Sequence, residues 1–316
     1  MLPCDLYVWR GPRPALYAMR GGDPRKVTVR AGRGMPFLIR EIDSDLLRGA
    51  LAASLPRVLG NQRLSPTERS KTAYSIAAKV LARVFVRERP LDRNGLVLTH
   101  RAIDSLALRL LDDEEMVWAM VATLQKHAAT HTHAINTAVY AIALARSIQF
   151  GGQAAIRAVA LGGLLHDLGK SRVPRSVLDK VEPLDAGEWG LIRGHARAGY
   201  EMVVRALGHP PSYAHIIAEH HERCDGSGYP VGLATTAIPL DSQLVAIVDA
   251  FDALTTVRPY KPALSPFDAL KMMRLGMRGQ FNDEILCAFV DLLGGWKALS
   301  HDLVGGDLPG VLKKAG

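Results

Sequence analysis

Short runs rich in β-branched and aromatic residues open the chain. Leu6-Tyr7-Val8-Trp9, Val27-Thr28-Val29 and Phe37-Leu38-Ile39 stand between Gly/Pro-rich turns such as Arg20-Gly21-Gly22-Asp23-Pro24, and predict strands within residues 5–42. From residue 44 the hydrophobic period becomes helical. Ser65-Pro66-Thr67-Glu68 is a capping box with proline at the first helical position. Behind it Ala73, Ile76, Ala77, Val80, Leu81, Val84 and Phe85 recur on one face, and Arg89-Pro90 closes that helix.

From about residue 98 the pattern stays helical. Ile103 to Leu111 and Glu114 to His127 form a pair, and Ile135 to Arg146 is Ala-rich and amphipathic. Ala154 to Leu168 is apolar nearly throughout, as a central buried helix would be. Asp241 is placed to cap a helix from Ser242 to Leu254; Ser265-Pro266 with Asp268 starts another that Gly276 ends. The expected fold class is mainly α. An all-helical domain over residues 111–316 follows a small strand-rich plus helical N-terminal domain over residues 1–110, with the boundary between residues 90 and 115. No internal repeat or low-complexity tract interrupts this order.

Composition narrows the class. Of 316 residues, 48% are hydrophobic and 22% charged, which excludes wholesale disorder and collagen-like repeats. Cys4, Cys224 and Cys287 are odd in number and far apart, against a disulfide scaffold and in keeping with a reducing cytosol. No apolar run reaches the roughly 18 residues of a membrane helix, and the N-terminus does not read as a signal peptide. A cytoplasmic protein without membrane insertion is expected. The net charge of +8 is uneven: residues 1–110 hold 20 Lys/Arg against 9 Asp/Glu, residues 111–316 hold 19 against 22. No aromatic interleaving accompanies the basic surplus, so a solvated surface is favoured over a nucleic-acid partner.

Candidate chemistry gathers around the histidines. In Leu164-Leu165-His166-Asp167-Leu168-Gly169-Lys170 an adjacent His and Asp end the apolar helix, which costs desolvation unless something satisfies both. A divalent metal would do so, since imidazole nitrogen and carboxylate oxygen suit iron, manganese or zinc; a hydrogen-bonded dyad is the simpler alternative for one such pair. Further on, Glu219-His220-His221-Glu222 runs into Arg223-Cys224-Asp225-Gly226-Ser227-Gly228-Tyr229-Pro230. Consecutive histidines point in different directions from one helix and could serve two neighbouring metals. The loop after them is tight and irregular, because its glycines permit positive φ and Pro230 stops further helix. His133, His195 and Asp249 are isolated in sequence, and each taken singly reads more readily as a satisfied polar group.

Taken together these positions resemble the HD-GYP family, the subgroup of HD-domain phosphohydrolases that cleaves cyclic di-GMP. The resemblance covers roughly residues 115–300. It is carried by His133 in a His-x-x-Asn pattern, His166-Asp167-Leu168-Gly169-Lys170, His195 with Gly199, His220-His221-Glu222 before Asp225-Gly-Ser-Gly-Tyr-Pro, Asp249-Ala-Phe-Asp252, and Arg258-Pro-Tyr-Lys261. The resemblance implies an all-helical HD-type domain with two divalent metal ions, iron first, manganese as alternative and zinc admitted. His133, His166, Asp167 and Asp249 look like the ligands of one ion, and His195, His220 and His221 like those of the second, with Asp167 bridging. Lys170 resembles the lysine near the scissile phosphate, and Arg258 and Lys261 the cations that hold the substrate phosphates. Gly228 and Tyr229 are candidate substrate contacts, although Tyr229 reads equally as loop packing. For Asp252 and Glu222 a supporting role beside the ligands is favoured over ligation, an ion pair being a further option for Glu222.

One departure bears on metal count. Some family members carry a glutamate four residues before the first histidine ligand, which supports a third metal; here that position is Ala129. His131 lies about 200° and His127 about 120° around a helix from His133, so neither substitutes. A binuclear site is expected. The implied activity is opening of cyclic di-GMP to pGpG, with GMP as the alternative end product, by a metal-activated hydroxide, with Asp167 and Lys170 at the reaction. Alternatives are the same chemistry on another cyclic dinucleotide or a nucleotide, and a non-hydrolytic cyclic di-GMP receptor. The Gly-Tyr-Pro loop is tied in related proteins to diguanylate cyclase domains. The N-terminal region is expected to regulate or to dimerise.

Overall fold

A computed structural model describes residues 6–10, 13–21, 44–81, 93–113, 115–116, 119–120, 130–256 and 262–304. Strands β1 (Leu6–Arg10) and β2 (Arg13–Ala18) form one antiparallel hairpin, with Tyr7 opposite Leu16 and Trp9 opposite Pro14. β1 contains the first expected strand; Val27–Val29 and Phe37–Ile39 lie outside the described residues. A strand-rich N-terminal domain is therefore not supported. A lone two-stranded hairpin cannot build its own core, and among the described residues everything after it that has regular structure is helical, apart from an isolated bridge between Asp225 and Ala234.

Helices α1 (Ser44–Leu59), α2 (Pro66–Leu81) and α3 (Arg93–Asp112) come first. The capping box forms at α2: Ser65 Oγ accepts from Glu68 N and Glu68 Oε2 accepts from Ser65 N at 2.9 Å. Val84, Phe85 and Arg89-Pro90 fall outside the described residues, as does most of the expected helix Glu114–His127. α3 begins ten residues before the expected Ile103, and Asn94 and Gly95 are accommodated in its first turn.

α4 (Thr130–Ser147) and α5 (Gln153–Leu165) pack side by side at the centre. α5 stops three residues earlier than its apolar run suggests, and a 3₁₀ turn, Leu168–Arg172, follows. That early stop leaves His166 and Asp167 at a helix end. Next come α6 (Arg175–Leu178), α7 (Ala186–Arg193), α8 (His195–Leu207), α9 (Ala214–Glu219), α10 (Leu240–Thr255), α11 (Pro266–Lys271) and α12 (Asp283–Val304). Ser265 caps α11 as expected, accepting from Asp268 N at 3.1 Å. Asp241 is not the cap of α10: Pro239 holds that position, and Asp241 sits in the first turn, where Oδ1 accepts from Ser242 N and faces His215 Nε2, each at 2.9 Å. No helix among the described residues is long and apolar enough to cross a membrane.

One continuous core joins both halves of the chain. Leu55, Ala73, Ala77, Leu96 and Leu106 from the first three helices belong to the same buried cluster as Leu144, Leu164, Ile217, Val248 and Phe289. Tyr140, Phe251 and Phe289 meet edge to face within it, with ring centroids 5.1–6.0 Å apart. Across the seam, Arg157 pairs with Asp104, and His100 Nε2 lies 2.5 Å from the Tyr213 hydroxyl.

The contact that positions the site lies between the 3₁₀ turn and α8. A Cβ on Gly169 would fall 1.9 Å from the His195 carbonyl oxygen and 2.6 Å from Gly199 N. Gly199 is the reciprocal small residue. Only two glycines allow these backbones to touch, and their touching brings Asp167 alongside His195. Gly169→Ala is expected to cost about 3 kcal/mol, the upper end for forcing extra volume into a packed core. Gly190→Ala, in open space on α7, should instead stabilise by up to about 1 kcal/mol. Thermal unfolding of the two variants checks both signs.

Candidate metal centre

His166 caps the end of α5, His220 caps the end of α9, and His195 follows the end of α7. Each folds its Nδ1 back onto a carbonyl three residues earlier: His166 to Gly163 at 2.7 Å, His195 to Ile192 at 2.5 Å, His220 to Ile217 at 2.9 Å. A carbonyl can only accept, so Nδ1 carries a proton in all three, and in the neutral form, the one that binds metal, each imidazole turns an Nε2 lone pair inward. His133 lies inside α4 and has no such carbonyl at hand. Asp252 from α10 serves instead, its Oδ2 2.6 Å from His133 Nδ1. The other oxygen of Asp252 accepts from Asn136 Nδ2 at 2.8 Å, and Asn136 Oδ1 in turn accepts from the Tyr74 hydroxyl at 3.3 Å. Asp252 thus orients a candidate ligand, in line with the supporting role expected for it.

The inward-facing atoms converge. Donor atoms of Asp167, His195, His220 and His221 lie within 4.8 Å of one another, as do those of His133, His166 and Asp167; a third triad, His166, His220 and Asp249, overlaps both. His133 Nε2 and Asp249 Oδ1 are 3.0 Å apart, and His195 Nε2 stands 3.3 Å from Asp167 Oδ1. His195 Nε2 and His220 Nε2, both lone pairs, face each other at 3.3 Å. His166 Nε2 and Asp167 Oδ1 are buried without a hydrogen-bond partner. Opposed lone pairs and orphaned buried acceptors are costly as they stand. A cation among them turns every one into a ligand, and nitrogen with carboxylate oxygen suits a divalent transition metal. The residues present fit such a group.

Electrostatics divide the cluster in two. Burial pushes Asp167 up, but Lys170, whose Nζ lies 2.6 Å from its Oδ2, and then His166 and His195 outweigh burial and hold it well below the usual carboxylate range. Asp249 is likewise pushed up by burial and brought far down by His133 and His166. Burial lowers His166, yet Asp167 and Asp249 overcome it and raise the imidazole to about 10. His220 is driven well below its ordinary value by burial and by His221, and burial takes His221 to about 3. The His133/His166 side is therefore carboxylate-rich and attracts positive charge. On the other side His220 and His221 are held as neutral imidazoles.

The loop after His221 has its own anchor. Glu222, 2% exposed, accepts from Val231 N at 2.8 Å, Gly232 N at 3.0 Å and Leu233 N at 2.8 Å. Its carboxylate is spent on the loop backbone and is not in an ion pair among the described residues. Arg223 closes the turn beneath, donating from Nη1 to the His220 and Glu222 carbonyls and lying over Phe281. Gly228 is pressed on this turn, since a Cβ there would stand 2.4 Å from Arg223 N. Packing alone accounts for the glycine. The Tyr229 ring lies 4.6 Å from that of His221, tilted by 33°. Arg258, Lys261, Ala129 and His127 lie outside the described residues, as does the side chain of His131. Sequence reasoning did not single out Tyr74, Arg193 or Trp189. Their signal is spatial: Tyr74 reads as an ordinary helix-face residue, and the other two as solvated positions on α7.

A helical bundle that brings two histidine–aspartate groups onto a shared carboxylate is built to hold divalent metal. The HD-domain family model matches residues 115–285. The chain is 28% identical over 282 residues to a cyclic di-GMP phosphodiesterase of Pseudomonas aeruginosa, covering 88% of this chain and 67% of that protein. It is 41% identical over 129 residues to the cyclic di-GMP phosphodiesterase response regulator RpfG of Xanthomonas campestris, covering 40% of this chain and 34% of the relative. It thus spans about two thirds of the first relative and about one third of the second. An HDG"Y"P protein of Bdellovibrio bacteriovorus shares the fold, with a TM-score of 0.69 over 93% of this chain and 95% of that one at 18% identity. The chain belongs to the HD-domain family, in its HD-GYP group.

Glu222→Gln keeps the volume but turns one acceptor into a donor facing backbone N–H groups. It is expected to cost about 2 kcal/mol and to speed hydrogen exchange at Val231 and Leu233 relative to α5.

Proposed function

We propose that this protein is a metal-dependent phosphodiesterase that opens cyclic di-GMP to pGpG, with GMP as the alternative end product, in bacterial second-messenger signalling. The observation that carries this reading is the sharing of Asp167 between two groups of converging donors, with His166 Nε2 and Asp167 Oδ1 buried and without a hydrogen-bond partner. The names of the two relatives support the substrate. We assign His133, His166, Asp167 and Asp249 to one ion, and His195, His220 and His221 with Asp167 to the second. Iron is the first choice and manganese the second, with zinc third; Cys224 stands outside the donor set. When bound, the ions supply Lewis acidity, lowering the pKa of water and neutralising charge on the phosphate.

The chain's own groups do the rest. Lys170, held at Asp167 by its 2.6 Å contact, is placed to donate to a phosphate oxygen or to protonate the departing 3′ oxygen. Arg258 and Lys261 are proposed as the cations for the substrate phosphates. Tyr229 offers a ring face beside His221, with Gly228 letting the loop fold beneath it. The outer face of that loop, where Val231 is 74% exposed, is the proposed contact for diguanylate cyclase domains. A cytoplasmic location agrees with the free thiols of Cys224 and Cys287.

The decisive experiment uses protein purified without oxygen. About two metals per chain and conversion of cyclic di-GMP to pGpG are the expected result. Metal without turnover, even after iron or manganese is added, would sink the phosphodiesterase reading in favour of another phosphoester or a receptor. Asp167→Ala should lower activity by at least about 100-fold and release metal, whereas Lys170→Ala should slow turnover with metal kept.

For residues 1–110 we propose a regulatory or homodimerising module docked on the catalytic part, residues 111–316. The chain of hydrogen bonds from Tyr74 through Asn136 and Asp252 to His133 supports the regulatory role. Tyr74→Phe leaves Asn136 short of a partner, and metal affinity should fall by up to about tenfold. A metal titration that matches the unaltered chain would refute the coupling.

A further inference from the structure

From His221 outward the structure continues as a row of rings and a cation. The Tyr229 ring follows His221, the Arg193 guanidinium carbon lies 5.7 Å from the Tyr229 ring centre, and the Trp189 ring centre is 5.9 Å from that same carbon. Trp189 and Arg193 stand one turn apart on α7. The helix ends one residue before Gly194, so Arg193 is tied to the site by His195, whose ring is 6.4 Å from Tyr229. Trp189 is 46% exposed. Among the described residues no carboxylate pairs with Arg193; Glu188, the acid on the same helix, is taken by Lys180 at 2.6 Å.

A half-exposed indole and a guanidinium free of ion pairs, leading away from a metal centre, form a surface for a flat and polar group. We infer that Trp189, Arg193 and Tyr229 form a guanine-binding subsite for a base of the substrate. The inference rests on the cyclic dinucleotide reading above and names the residues that would select the base. The half-exposed Trp189 supplies a π face, on which any base stacks, and Tyr229, flanked by His221 and the guanidinium, walls the subsite toward the metal centre. Arg193 supplies paired N–H donors, which match O6 and N7 of guanine; adenine places an amino donor where guanine has O6 and is mismatched. The cation–π contacts hold the guanidinium in place between the rings before a base arrives, which limits the ordering lost on binding.

The test uses the full metal-loaded chain and a phosphodiester that has no base, bis(p-nitrophenyl) phosphate, with cyclic di-GMP as competitor. For Trp189→Ala and Arg193→Ala, the inhibition constant of cyclic di-GMP should rise about tenfold more than the KM for the base-free ester. Trp189→Phe should recover most of the loss. Arg193→Ala should also bring the inhibition constants of cyclic di-GMP and cyclic di-AMP together, whereas the unaltered chain separates them. Cyclic di-GMP competing equally well in all variants would overturn the subsite alone. If it fails to compete even in the unaltered chain while the base-free ester is cut, the substrate reading falls and the subsite with it.

Discussion

Three histidines hold the site in shape by doing the same thing. His166, His195 and His220 each stand just past the end of a helix, and each returns Nδ1–H to a carbonyl of the last turn. Those carbonyls lack helical partners because the helix has stopped. One bond therefore satisfies a helix end, fixes the imidazole tautomer and aims Nε2 at the centre. The ends of α5, α7 and α9 consequently point their negative dipole ends at one place, where a cation is favoured. Nothing in this arrangement tolerates a longer helix: had α5 run on to Leu168, as its apolar pattern suggests, the Asp167 carboxylate would not face His195.

The same constraint explains what was legible in the sequence and what was not. The residues drawn together were readable because their motifs are contiguous, His166-Asp167 and His220-His221 above all. His133, His195 and Asp249 were readable only through a family pattern, since a lone histidine on a helix carries no local sign of its company. The helices were readable where the apolar period was uninterrupted, as in α4 and α5. Boundaries failed where one residue admits two uses. Asn94-Gly95 can punctuate or sit in a first turn, and Asp241 can cap a helix or, with Pro239 already there, bond Ser242 N and face His215. Of the three strand patterns at the N-terminus only the first falls among the described residues, in a two-stranded hairpin, so a strand-rich domain finds no support.

Glu222 shows why a residue type does not settle a role. Beside two candidate ligands, a carboxylate reads as their supporting partner or as an ion-pair member. In the fold it turns away and gathers three consecutive backbone N–H groups of the loop, at residues 231–233. That use needs no cation. It also places the loop by the backbone rather than by side-chain contacts, so Tyr229 is held against His221 while the outer residues of the loop stay free to vary.

The continuous core changes what regulation can mean here. Had the first three helices formed a separate body on a linker, a signal would need to move one domain against another. Instead α2 lies on α4, and Tyr74 is 6% exposed where its hydroxyl meets Asn136. Asn136 and His133 share Asp252, so in the proposed regulation a shift of α2 by a fraction of an ångström would change how firmly that carboxylate holds His133 Nδ1. The other three histidines are insulated from such a shift, because their Nδ1 partners lie in their own helix ends. In the regulation proposed for the first helices, sensitivity is confined to one candidate ligand of the carboxylate-rich side, while His195 and His220 stay fixed by local backbone bonds.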